Sequence, residues 1–94
     1  MFPLYPNDQI EYISNPDFNN YTTPGNYWIG GNSWMENITN KPSNTSGNLL
    51  VFKMLNPESS GYVVQMYITH TASIFLRSCG GSYNWSSWKT ITTQ

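Results

Sequence analysis

The stretch Tyr62-Val63-Val64-Gln65-Met66-Tyr67-Ile68-Thr69-His70 decides the fold class. Successive side chains of an extended chain point to opposite faces. One face therefore carries Tyr62, Val64, Met66, Ile68 and His70, and the other Val63, Gln65, Tyr67 and Thr69. The breaker Thr71-Ala72-Ser73 follows, then Ile74–Ser78 alternates again, and after Gly80-Gly81-Ser82 the segment Trp85–Ile91 closes the chain. Upstream, Asn56-Pro57-Glu58-Ser59-Ser60-Gly61 separates this strand from the near-continuous apolar run Leu49–Leu55, which includes Lys53, and Tyr27–Ile29 forms a shorter aromatic strand. The gaps in the second half have hairpin length, and no segment shows a helical period. The expectation is an all-β fold, a small antiparallel β meander of about five strands.

The remaining segments are less regular. Gly30–Gly47 is a long polar loop of about 18 residues that carries Trp34 and Met35. Loops of that length tend to be functional. Pro24-Gly25 signals a turn with Pro at its second position and Gly, tolerating positive φ, at its third. Asn15–Tyr21 holds one short helical turn near the N-terminus, capped by Asn15 and Pro16. Residues 1–14 read as an arm or linker in which Ile10, Tyr12 and Ile13 add a short edge strand, and residues 15–94 as the domain.

The composition suits one small domain. Of 94 residues, 32 are Asn, Ser or Thr, 15 are aromatic, and nine are charged. Leu, Ile, Val and Phe number only 19, but disorder also requires high net charge and few aromatics, and this chain has neither. A net charge of −1, with Lys41, Lys53, Arg77 and Lys89 scattered singly, argues against a nucleic-acid partner. The longest apolar run, Leu49–Phe52, is far too short to insert in a membrane, and Met1–Pro6 has no features of a secretory signal. The lone Cys79 allows neither an internal disulfide framework nor a cysteine-based zinc site.

No catalytic constellation stands out, and the chain is expected not to be an enzyme and to carry no metal or cofactor. His70 sits at a strand end beside a turn, and no Gly-x-Ser-x-Gly elbow accompanies it. The carboxylates Asp8, Glu11, Asp17, Glu36 and Glu58 are dispersed, and nothing favours Asp17 meeting Glu36 across a cleft. Cys79 reads as a small filler, with Arg77 expected on the opposite strand face. The Asn-x-Ser/Thr sequons at Asn20, Asn37, Asn44 and Asn84 arise by chance in a chain so rich in these residues.

Aromatic platforms flanked by Asn, Gln, Ser and Arg are the chemistry of carbohydrate recognition, although small β domains also fill their cores with Trp and Tyr. Trp85 and Trp88 are three residues apart, so a regular strand would point them to opposite faces, one to the core and one to solvent or a subunit contact. Trp28 is opposite in parity to Tyr27 and Ile29, and Trp34 in the long loop has the best claim to exposure. Gln65 and Arg77, on adjacent strands, are placed to bond each other or a loop carbonyl, or else to meet a ligand. The candidate carbohydrate-binding set is Trp34, Trp88, Tyr83, Asn84 and Arg77, and the structural motif is Pro24, Gly25, Gln65 and Trp85.

An ordered series of short motifs adds to this reading. It runs from Asn15-Pro16-Asp17-Phe18-Asn19-Asn20-Tyr21 through Thr23-Pro24-Gly25, Tyr27-Trp28-Ile29 and Pro42 to Gly47-Asn48-Leu49-Leu50-Val51-Phe52. It continues with Val63-Val64-Gln65-Met66-Tyr67, Ile74-Phe75-Leu76-Arg77-Ser78 and Trp85-Ser86-Ser87-Trp88-Lys89-Thr90-Ile91. In this series the chain resembles the pyocin-knob-like modules of bacteriophage tail fibres and of phage-tail-like bacteriocin fibres. Phe18 stands where such modules more often carry Leu, and the loop Gly31–Ser46 has no clear counterpart. The resemblance implies a non-catalytic, mainly β module of a homotrimeric fibre, with residues 1–14 leading to an upstream shaft. It implies a place on the virion tail, assembly in the bacterial host cytoplasm alongside other tail-fibre or baseplate proteins, and a host cell-surface glycan as ligand. The alternatives are a purely structural, trimerising knob, or a carbohydrate-binding accessory module of a surface hydrolase.

Overall fold

In the computed structural model, residues 16–30, 37–54, 61–80 and 84–91 are described in full and residues 10–12 by their backbone. The strands are β1 (Ile10–Tyr12), β2 (Gly25–Ile29), β3 (Gly47–Met54), β4 (Tyr62–Thr69), β5 (Ile74–Cys79) and β6 (Lys89–Ile91). They form a single sheet in sequential order. β2 to β6 are the expected five-strand antiparallel meander, and β1 joins β2 in parallel at the edge, pairing Ile10 with Asn26. The last strand is shorter than the pattern Trp85–Ile91 suggests. Trp85 makes an isolated bridge to Cys79, and Ser86 N donates to the Ser78 carbonyl.

Alternation makes the two faces of the sheet different. Tyr27, Ile29, Leu49, Val51, Val63, Gln65, Tyr67, Thr69, Arg77 and Cys79 are buried on one face. That face is roofed by Phe18 and Tyr21 from the turn segment and by Ile38 from the long loop. Phe18 is the keystone: it is fully buried, with its ring 5.6 Å from Tyr67, 6.4 Å from Tyr21 and 6.5 Å from Trp88. Burial of such a side chain contributes about 1.5–3 kcal/mol. The opposite face, with Leu50, Phe52, Val64, Met66, Ile68, Ile74 and Leu76, has no roof among the described residues and stays half-exposed or exposed.

Several local expectations change. The turn is a 3-10 helix at Phe18–Asn20 capped by Asp17, whose Oδ1 accepts from Asn19 N at 2.9 Å. The expected cap Asn15 lies outside the described residues. Pro24-Gly25 does not form a turn with positive φ, because Gly25 is already the first residue of β2. Glycine is needed there because the Tyr27 ring folds back over it: an added Cβ would lie 2.7 Å from the Tyr27 hydroxyl, which donates to the Thr23 carbonyl. Gly47 serves a closer approach, since a Cβ there would meet the Ile68 carbonyl and sit 2.8 Å from Thr69 Cα. Arg77 and Cys79 share the buried face, correcting the expectation that Arg77 lies across the strand, because residues two apart in a strand point the same way. Burial pushes the Cys79 thiol pKa up, against the opposing effects of a hydrogen bond to the Val63 backbone and of the Arg77 charge.

The described part of the long loop packs down rather than looping out. Thr39 N donates to the Pro16 carbonyl at 2.7 Å, and Phe18 N donates to the Thr39 carbonyl at 3.2 Å. Tyr67 reaches up from β4 to donate its hydroxyl proton to the Thr45 carbonyl, and burial pushes that phenol's pKa up. His70 is exposed at the β4–β5 hairpin, where its backbone N–H donates to the Ser46 carbonyl.

Candidate functional site

The polar residues on the buried face build the candidate site. Gln65 is fully buried at the centre of β4, opposite Arg77 of β5. Its Nε2 donates to the Phe18 carbonyl at 2.7 Å and the Tyr21 carbonyl at 2.8 Å, and its Oε1 accepts from Arg77 Nε at 2.8 Å. One amide thus ties the roofing turn to the sheet and orients the arginine. Arg77 then continues outward between two indoles, its guanidinium carbon 4.2 Å from the Trp85 ring centroid and 4.5 Å from that of Trp88. Cation–π contacts of this kind are strengthened by partial desolvation.

The expectation that Trp85 and Trp88 diverge to opposite faces is therefore corrected. The two rings flank the same guanidinium because residues 85–88 leave the regular strand after one bridge. Trp88 also packs on Phe18, and its Nε1 donates to the Asn40 carbonyl at 2.9 Å. Asn40 takes positive φ (61°), which Asn tolerates. Its Nδ2 donates to Asp17 Oδ1 at 2.7 Å, joining the long loop to the cap of the 3-10 turn.

Beside the stack lies an open groove of about 520 Å³, walled by Asn19, Asn40, Lys41, Arg77, Asn84, Trp85, Ser86, Ser87 and Trp88. Of the carbohydrate-binding candidates, Arg77, Asn84 and Trp88 come together here, joined by Trp85 from the structural set. Trp34 and Tyr83 lie outside the described residues. Gln65 sits beneath the groove as the support of Arg77, while Pro24 and Gly25 open β2 and take no part in the wall. Asn19, Asn40 and Lys41 join the wall without having been singled out from sequence. The Asn-rich 15–21 motif signals Asn19, but Asn40 and Lys41 reach the site only through the packing of an irregular loop.

The electrostatics of the groove are set by few charges. Burial pushes the Arg77 pKa down to about 10, with the Asp17 carboxylate and Cys79 acting the other way, so the guanidinium stays charged at neutral pH. Burial raises the Asp17 pKa, but hydrogen bonds from Asn40, the Asn19 backbone and Thr39, with the Arg77 charge, outweigh it and hold the carboxyl below its ordinary value. Two buried polar atoms on the wall, Arg77 Nη2 and Asn19 Oδ1, have no hydrogen-bond partner among the described residues. No group of three or more His, Cys, Asp or Glu among the described residues is placed to hold a metal. No described helix is long and apolar enough to cross a membrane.

The fold and groove define a small open-sheet β module with an aromatic and amide-lined surface. No protein-family model matches the chain, and no curated protein sequence matches it. Among solved structures, the fold recurs in pyocin fibres of P. aeruginosa. The R1 pyocin fibre fragment comprising C-terminal residues 323–701 superposes with a TM-score of 0.72 at 21% identity, over 88% of this chain and 21% of that one. The R2 pyocin fibre fragment comprising residues 323–691 superposes with a TM-score of 0.73 at 19% identity, over 89% of this chain and 22% of that one. The chain is thus similar in fold to a segment about one fifth the length of each fibre fragment.

Proposed function

We propose that this chain is a non-catalytic attachment module of a phage tail fibre or a related tail particle, and that its groove recognises host cell-surface polysaccharide. The observation that carries the reading is the Trp85–Arg77–Trp88 stack standing in the wall of a groove otherwise lined by Asn and Ser side chains and Lys41. Indole rings receive the C–H faces of sugars, while amides, hydroxyls and a guanidinium bond their hydroxyl edges. The shared fold with pyocin fibres supports a fibre context. A shallow site of this kind binds weakly, and a fibre with several copies supplies avidity.

The unroofed sheet face favours a second role alongside the first, that of a trimerising knob. Phe52, Met54, Tyr62 and Ile91 are 39–58% exposed, and Leu50, Val64, Met66, Ile68, Ile74 and Leu76 lie half-buried between them. Contiguous apolar surface of this kind marks an interaction site. The groove opens beside the roofed side, so homotrimer contacts through the bare face would leave it accessible. Such a module would sit on the tail of the particle with other tail-fibre or baseplate proteins and would need no cofactor.

The test is an array of bacterial surface polysaccharides probed with the chain immobilised at high density, beside a Ser87→Trp variant. Ser87 is exposed on the groove wall, so the added indole blocks the groove without entering the core. Retained polysaccharide on the parent and its loss on the variant are expected. A blank array, or binding that survives the block, overturns the reading.

A further inference from the structure

The charges of the groove narrow the class of saccharide. We propose that the groove selects saccharides bearing a negative charge, a carboxylate or phosphate group docking against Arg77 and Lys41, which rests on the polysaccharide reading above. The chain has only four Lys and Arg residues, and two of them stand in this one wall. No Asp or Glu among the described residues shares the wall.

Arg77 is built to be completed by an acceptor. The residue is only 6% exposed, its Nε is committed to Gln65, and its Nη2 has no hydrogen-bond partner among the described residues. A guanidinium stacked between two aromatic rings forms its hydrogen bonds in its own plane, where anionic oxygens accept charge-assisted bonds. The nearby Asp17 carboxylate acts on Arg77 through its charge but makes no hydrogen bond to Nη2. Its Oδ1 already accepts from Asn40 Nδ2 at 2.7 Å and from Asn19 N at 2.9 Å. Lys41 Nζ donates to the Ile38 carbonyl at 2.7 Å, and an ammonium retains two further donors.

The second orphan fits the remainder of such a ligand. Asn19 Oδ1 is a buried acceptor without a donor among the described residues, and a sugar hydroxyl is the complementary group. A neutral saccharide would satisfy this acceptor and the aromatic walls but would bring no anionic oxygen to the buried guanidinium, on which Asp17 alone acts among the described carboxylates. Nη2 is covered, so an acceptor reaches it only as the 85–88 segment, which carries both flanking indoles, gives way. That segment is tied to β5 by the Trp85–Cys79 bridge and by Ser86 rather than by a continuous ladder.

The test is a titration of the full chain with three probes of equal length: a glucuronate-containing tetrasaccharide, a glycerol-phosphate-substituted tetrasaccharide and a neutral glucose tetrasaccharide, read by calorimetry. At least one acidic probe is expected to bind about tenfold more tightly than the neutral one, the better of the two identifying carboxylate or phosphate as the charge recognised. Raising salt from about 50 to about 500 mM is expected to remove most of that preference. Lys41→Gln, which leaves the core untouched, is expected to weaken the acidic probe severalfold and leave the neutral one unchanged. Equal, salt-independent binding of all three overturns the charge selection and leaves the polysaccharide reading standing. Binding of none of them overturns both.

Discussion

Replacing Gln65 with Leu removes the joint between the sheet and its roof while conserving most of the volume. The perturbation removes the bonds to the Phe18 and Tyr21 carbonyls and from Arg77 Nε, all now made at 2.7–2.8 Å by one fully buried amide, and leaves the Phe18 carbonyl only its bond from Tyr21 N at 3.1 Å. Each buried group left unpaired costs about 1–3 kcal/mol. Because the 3-10 turn can swing toward water and recover part of this, the net loss for Gln65→Leu is about 3–5 kcal/mol. That is a large share of the roughly 5–15 kcal/mol that holds a small domain together, and it lowers Tm by roughly 15–30 °C at this size. Urea unfolding followed by tryptophan fluorescence measures the loss. Amide exchange locates it, with protection expected to fall more at Phe18 and Tyr21 than at Val51 in β3. A loss below about 1 kcal/mol, with the turn amides as protected as before, would refute the idea that Gln65 carries the roof.

Other outcomes follow from single positions. Ala72 holds φ at 68° in the β4–β5 hairpin, so Ala72→Gly is expected to raise stability by up to about 1 kcal/mol, relieved strain outweighing the added freedom of the unfolded chain; a lower urea midpoint would contradict it. Gly47→Ala drives a methyl into backbone at Ile68 and Thr69, where no side chain can yield. A loss of about 2 kcal/mol or more is expected in the same assay. Asp17 has a folded pKa below its ordinary value of 3.8. Its contribution to stability is therefore fully present above that pH and lost as pH falls through the folded value, and Asp17→Asn should flatten the acid limb of the stability profile.

The meander was legible because turn residues punctuate every strand of the second half, and register then follows from short hairpins such as Thr69–Ser73. Which face is covered was not legible from hydrophobicity. The face with Val64, Met66 and Ile68 is the more apolar, yet no described residue roofs it, while the roofed face contains Gln65, Thr69 and Arg77. Burial there depends on backbone carbonyls of the 18–21 turn that satisfy Gln65, and pairings between residues more than forty positions apart leave no local pattern. The same limit hid the groove. Arg77, Asn84 and Trp88 carried a chemical signal, but the strand parity applied to Trp85 and Trp88 failed once the chain left the ladder at residue 86. Asn40 and Lys41 arrive from a loop whose course is set by the Asp17 cap and the Trp88 indole.

The most direct test of the groove as the saccharide site is a 15N-edited NMR titration that follows the indole N–H groups of Trp85, Trp88 and Trp28 and the Nε–H of Arg77. Trp28 is the internal control, because it lies on the sheet face opposite the groove, across from Asn48. With a saccharide retained from the polysaccharide array, the expected result is that the Trp85, Trp88 and Arg77 signals shift along one binding curve while Trp28 stays in place. Movement of Trp28 with Trp85, Trp88 and Arg77 unmoved at saturation would contradict the groove and place recognition on the other face of the sheet.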